Sequence, residues 1–218
     1  MDERTLIEEI TKRVLSALHT EGDISQDTAA LPVGVSVRHV HVSASDLEVL
    51  YGPGHKLTPL RDLYQEGEFA AREVVTLVGS KMRAIENVRI LGPVRGRTQV
   101  EVARTDAIYL GINPPVRASG NLAGSSPITL VGPKGTLILS EGAIIANRHI
   151  HMSPGDARQF GVSDHDLVQV EVVGEKGLIF NHVQIRVKDN FRLEMHLDTD
   201  DANASGITTG ARAHILTQ

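Results

Sequence analysis

At 218 residues the chain has room for two modest domains or one large one, and with aromatics at only 3% its core has to be built from Val, Ile, Leu and Ala. A net charge of −5, with no basic run and no aromatic stacking platform, argues against a nucleic-acid surface. No run of about 18 apolar residues marks a membrane span, and no apolar core follows the charged N-terminus, so secretion is not expected either. Cysteine is absent, which excludes disulfides, a cysteine nucleophile and thiolate metal ligands.

The first predicted element is an amphipathic helix within residues 1–20. Over residues 3–19, Leu6, Ile7, Ile10, Val14, Leu15 and Leu18 recur at spacings of three and four, while Glu3, Arg4, Glu8, Glu9, Lys12 and Arg13 occupy the other face. The polar run Thr20–Ala30 reads as a linker over residues 21–30. A short tethered helix is marginal alone, so it either packs on its own domain or a sister subunit, or serves as an interaction tag.

From residue 31 the pattern is mainly β. Predicted strands are Val33–Val42, Val74–Val78, Val88–Ile90, Thr98–Val102, Ile128–Val131, Thr136–Leu139, Ala143–Ala146, Leu167–Val172, Leu178–Phe180, Val183–Val187, Arg192–Leu197 and Ala213–Leu216. Short turns such as Gly132-Pro133-Lys134-Gly135 join many of them. Helices are few: Ser45–Tyr51, Pro154–Phe160, Asp106–Leu110 and Asp200–Ser205, with Ser43 and Ser153 where N-caps are wanted. Two small β-barrels with short capping helices are expected.

The two halves are related. Arg38-His39-Val40-His41-Val42-Ser43 recurs 110 positions later as Arg148-His149-Ile150-His151-Met152-Ser153, and residues 86–112 match 181–207 without a gap at a shift of 95. The first copy therefore carries an extra segment, placed in the turn-rich run Tyr51–Gln65. On a strand, alternate side chains share a face, so each His-x-His presents two imidazoles together. The ungapped alignment also sets Glu101 against His196, both metal-ligand types. His39, His41, Glu101, His149, His151 and His196 are thus consistent with a dinuclear site, for which Zn²⁺ suits best and Co²⁺, Mn²⁺ or Fe²⁺ would also serve. The alternative is duplicated packing histidines bonded to backbone. His19, His55, His165, His182 and His214 lack a partner at ligand spacing.

Arg95 and Arg97 lie in a Gly-Pro turn feeding the Glu101 strand, where a guanidinium would suit phosphate or carboxylate. Arg97 recurs as Arg192, which favours a structural role, whereas Arg95 corresponds to Asn190 and is the better functional candidate. The irregular run Pro114–Ser126 lets backbone approach a ligand but is no Walker or dinucleotide fingerprint.

Together, Val35–His41, Leu91–Arg95, Thr98–Glu101, Pro114–Gly120 and Asn147–Ser153 make the chain resemble the microcompartment-associated phosphotransacylases of the propanediol-utilisation type, over roughly residues 31–215. The resemblance implies two β-barrels that exchange segments: residues 31–38 with 147–218 in the first, and 39–146 in the second, with an insertion near 51–70. It implies a two-zinc site at the six residues above, with Glu101 catalytic as well as ligating and Arg95 on phosphate. Coenzyme A would lie along Arg117, Ser119 and Gly120. The implied reaction converts a short-chain acyl-CoA, propionyl-CoA first, plus phosphate to acyl phosphate plus CoA. It further implies that residues 3–19 direct the enzyme to shell or lumen proteins of a bacterial microcompartment; otherwise it would be cytoplasmic. A homo-oligomer is left open. The rivals are a dinuclear thioesterase or phosphoesterase, and a non-catalytic scaffold stapled by metal.

Overall fold

The computed structural model describes residues 30–216; the amphipathic helix and linker expected within residues 1–30 lie, but for residue 30, outside them. The fold is mainly β, with two closed six-stranded barrels and four short helices. The first barrel runs in the order β1 (Leu31–Ser36), β13 (Glu194–Asp198), β10 (His149–Met152), β12 (Leu178–Val187), β11 (Leu167–Val172) and β14 (Arg212–Leu216), and closes by β14 pairing with β1. The second closes through β4 (Phe69–Val78), β5 (Ala84–Gly92), β2 (His39–His41), β6 (Gln99–Glu101), β9 (Thr136–Ala146) and β8 (Ser126–Val131). β3 (Pro59–Asp62) and β7 (Val116–Arg117) flank it.

Each barrel has its own apolar core. Val40, Val75, Ile90, Val100, Leu110 and Leu130 are among those filling the second, and Leu31, Ile150, Val170, Ile185, Met195 and Leu197 the first. Period-two alternation does the sorting: Val40 and Ile150 turn inward, so the histidines on either side of them turn outward. Those outward faces are not exposed, because the other barrel covers them. His39, His41 and His151 are all buried.

The predicted strand Val33–Val42 is in fact two. The chain leaves the first barrel after Ser36 and enters the second at His39, so Val37-Arg38 is a crossover and not a pleat. The return crossover is Asn147-Arg148, between β9 and β10. The repeat makes the two crossovers alike, down to ion pairs that pin each to a helix. Arg38 Nη2 lies 2.8 Å from Asp106 on α2 (Arg104–Leu110), and Arg148 Nε 2.9 Å from Asp201 on α4 (Thr199–Ser205). The other two helices follow the two His-x-His strands. α1 (Ala44–Tyr51) and α3 (Pro154–Phe160) start where the Ser43 and Ser153 hydroxyls accept the Asp46 and Asp156 amides.

Thr136–Leu139 and Ala143–Ala146 fuse into one long strand whose first half pairs with β8 and second half with β6. Leu178–Phe180 and Val183–Val187 likewise join through His182, whose φ of 56° accommodates an irregularity in the ladder. β3 and β7 were not expected: β3 is exposed along its whole length and β7 is two residues long, so neither carries an alternation signal.

Candidate metal centre

Both His-x-His strands begin immediately after a crossover, which brings donors from both barrels to one place. Register then adds the third donor in each half: His39 pairs with Glu101 across β2 and β6, and His149 with His196 across β10 and β13. Two groups result, His39–His41–Glu101 and His149–His151–His196. In each group the donor atoms all lie within 4.8 Å of one another, close enough to hold a metal ion. In the first, His39 Nε2 is 3.5 Å from Glu101 Oε2 and His41 Nε2 is 3.8 Å from Oε1. In the second, the His149 and His196 rings stack at 4.8 Å and 9°, with His151 tilted 4.7 Å from one and 4.6 Å from the other.

The donors are prepared for a cation. His39 Nδ1 is 2.9 Å from the Val37 carbonyl and His149 Nδ1 is 2.8 Å from the Asn147 carbonyl. A carbonyl can only accept, so Nδ1 carries the hydrogen in both and Nε2 keeps its lone pair. Burial holds His149 down to about 4, His41 to about 3 and His151 to about 2, and drives His196 well below the ordinary imidazole value. Burial works to raise the Glu101 carboxyl, but His39, His41, His149 and the Ser119 hydroxyl overcome it and hold the group at about 2. At neutral pH His41, His149, His151 and His196 are therefore uncharged imidazoles and Glu101 is a carboxylate, the forms that bind metal. Both ring nitrogens of His151 and Nε2 of His196 are buried with no hydrogen-bond partner. Orphaned polar atoms are costly in a protein interior, and a divalent ion in the three-histidine group would satisfy His196 Nε2 and one nitrogen of His151. The residues present fit such ions.

These low values carry a pH signature in the metal-free protein. A histidine whose folded pKa lies below its unfolded value of about 6.5 stabilises the fold above that pH. The contribution is lost as pH falls toward about 4, where His149 titrates. Each such group removes about 1.4 kcal/mol per pH unit across that window. Glu194, Asp198 and Asp201, raised by burial, act in the opposite sense at lower pH, so the histidine effect is cleanest between pH 7 and 6. Denaturant midpoints of chelated protein should hold above pH 7 and fall below 6.5. A flat profile would mean solvated imidazoles.

Beside Glu101 lies a polar cluster. The Ser119 hydroxyl donates to Glu101 Oε1 at 3.0 Å and sits 3.2 Å from Arg95 Nη1 and 2.8 Å from Gln99 Nε2. Arg95 Nη2 donates to Glu68 Oε1 at 3.2 Å. Gly120 N donates to Gln99 Oε1. Arg117 stays at the surface, and its carbonyl accepts from Asn147 N. So Ser119 touches Glu101 directly, Arg95 is linked to it through Ser119 and Gly120 through Gln99, while Arg117 begins the run that leads there. A cleft opens between the crossovers, lined by Val37, Ala146 and Asn147 together with His39, Glu101, His149 and His196.

Sequence reasoning missed four residues here. Arg186 pairs in register with His151 and is half-buried; burial lowers its pKa and the charges of Glu101 and Arg95 both act on it. Its repeat counterpart is Leu91, so the duplication gave no cue. The interruption of the run Val183-Gln184-Ile185-Arg186-Val187 by an arginine was the available signal. Gln65 and Glu68 were missed because they meet the site through contacts distant in sequence; Glu194 sits two residues before His196 on the same strand face, a period-two signal that was available. His55, in the inserted segment, instead binds Glu73 of β4 at 3.0 Å, a structural contact.

A family model described as phosphate propanoyltransferase matches residues 32–208. Among curated proteins, the phosphate propanoyltransferase of Lachnoclostridium phytofermentans is 56% identical over 210 residues, covering 96% of this chain and 98% of that one. The Thermotoga maritima protein of the same name is 50% identical over 208 residues, 95% and 99%. That of Salmonella typhimurium is 54% identical over 177 residues, 81% and 83%.

Proposed function

This chain belongs to the phosphate propanoyltransferase family and is an acyltransferase, and from that premise we propose that it exchanges propionyl-CoA and phosphate for propionyl phosphate and CoA at a dinuclear centre between its barrels. The observation that carries this is the meeting of two donor groups, one from each barrel, with the cations Arg95 and Arg186 beside them. His39, His41 and Glu101 would hold one ion, and His149, His151 and His196 the other. Zn²⁺ fits the donors best, with Co²⁺ or Mn²⁺ as substitutes. Bound there, such ions would supply Lewis-acid charge for sulfur leaving as thiolate and for a carbonyl oxygen gaining negative charge.

The protein's own residues do the rest. Arg95 holds phosphate in place of the Glu68 carboxylate it contacts in this structure, and Arg186 offers a second guanidinium from the other barrel. The Ser119 hydroxyl keeps Arg95 and Glu101 in register. With no cysteine in the chain there is no acyl-cysteine. A phosphate oxygen attacks the thioester carbon directly, the C–S bond breaks, and CoA departs with the electron pair; positioning in a ternary complex contributes much of the rate. Coenzyme A would approach along Arg117, Ser119 and Gly120, from the surface inward to Glu101.

No helix among the described residues is long and apolar enough to cross a membrane. Residues 3–19 are proposed to carry the enzyme into a microcompartment lumen; a deletion variant that still co-purified with microcompartments would count against this. The metal reading is tested by elemental analysis and chelation. Two zinc equivalents per chain are expected, with activity lost on their removal and regained on return. Full activity in the metal-free protein would contradict it.

A further inference from the structure

We infer that Glu194 is a positioning carboxylate for the three-histidine group, and that Gln65 of the opposite barrel sets its geometry. The inference rests on the two-ion reading above. Glu194 precedes His196 by two residues on β13, so both side chains share a face. Its Oε2 lies 3.2 Å from His196 Nε2, the nitrogen without a hydrogen-bond partner; the two atoms are close but not aligned as a hydrogen bond.

The repeat gives this contact a counterpart. At the shift of 95 that sets Glu101 against His196, Gln99 falls opposite Glu194. In the second barrel the Gln99 amide donates to the Glu101 carboxylate. In the first, a carboxylate stands beside an imidazole. Each half thus has one acid across these two positions, but their order is exchanged. The His39–His41–Glu101 group contains its own negative charge, whereas His149–His151–His196 contains none and has Arg186 nearby. Glu194 is the anion that would balance a dication there.

The site for that carboxylate is built. Gly34 pairs in register with His196, and a Cβ on it would lie 2.4 Å from Glu194 Oε1, so a glycine leaves the space the carboxylate fills. Gln65 reaches across the interface and is itself buried. Its Nε2 donates to Glu194 Oε2 at 3.2 Å and to the Arg192 carbonyl at 3.0 Å, while its Oε1 accepts from Arg192 N at 3.1 Å. The hairpin loop that carries Gln65 is closed by the Leu63 amide donating to the Glu68 carbonyl at 2.9 Å. Among the described residues Glu194 pairs with no lysine or arginine. A buried carboxylate in that position is costly unless a cation stands near it.

Glu194→Gln keeps the shape and still accepts from Gln65, and removes only the charge. Titration with zinc against a chromophoric chelator should give two equivalents in the wild-type protein. The equivalent absent in His149→Ala should bind about 10- to 100-fold more weakly in Glu194→Gln, with the other unchanged and the metal-free unfolding midpoint preserved or raised. Gln65→Ala should weaken the same equivalent by a smaller factor. Wild-type affinity at both sites in Glu194→Gln would overturn the inference, as would an equal loss at both with a lowered midpoint. A wild-type protein that binds no second zinc would overturn the two-ion reading instead.

Discussion

His149→Ala is expected to empty the three-histidine group and to lower acyl transfer by about 10³-fold or more, the equivalent of at least ~4 kcal/mol of barrier. Three features make this position costly to lose. Its tautomer is fixed by the Asn147 carbonyl, its ring stacks on His196, and its charge environment includes Glu101 of the other group. Removing one imidazole of three leaves His151 and His196 with no third protein donor from their group. Glu101→Ala should do the same to the other group, and would also free the Ser119 hydroxyl and the Gln99 amide. Zinc content by elemental analysis and turnover on propionyl-CoA are the readouts. A His149→Ala protein that kept both ions would show that the group is not a metal site.

Arg95→Ala should lower kcat/KM for phosphate by about 30- to 1000-fold, corresponding to about 2–4 kcal/mol for a lost charge-assisted contact to an anion, while leaving the KM for acyl-CoA near its wild-type value. The guanidinium is already held from both sides, by the Ser119 hydroxyl and the Glu68 carboxylate. Phosphate must displace only Glu68, which is partly exposed and carried on a hairpin loop. Initial rates over a phosphate series check this. An unchanged phosphate dependence would mean that Arg186 alone serves the anion.

Much of this centre could be read from the chain before its fold was known. Two His-x-His strands announced four donors, because strand geometry fixes which residues share a face. The ungapped repeat placed Glu101 and His196 in equivalent positions, and the register pairs His39–Glu101 and His149–His196 have that equivalence built in. The two barrels followed from alternation and short turns. What stayed hidden depended on which half covers which. Val33–Val42 looked continuous because local pattern cannot show that a chain changes barrels at Val37. Arg186 has leucine at its repeat counterpart, so symmetry pointed away from it. Gln65 sat in a run that composition marked only as a turn-rich insertion, yet it reaches Arg192 and Glu194 more than a hundred residues away. Ser119 was expected along coenzyme A, and its hydroxyl lies against Glu101 and Arg95.

The measurement that bears most directly on the account is release of free CoA thiol from propionyl-CoA by the zinc-loaded protein, with and without phosphate, with propionyl phosphate trapped as its hydroxamate. Thiol release that saturates with phosphate and matches propionyl phosphate one for one is the expected result. Release equally fast without phosphate would mean hydrolysis at the same centre, and no release under either condition would leave the metal groups with only a structural role; either result contradicts the account.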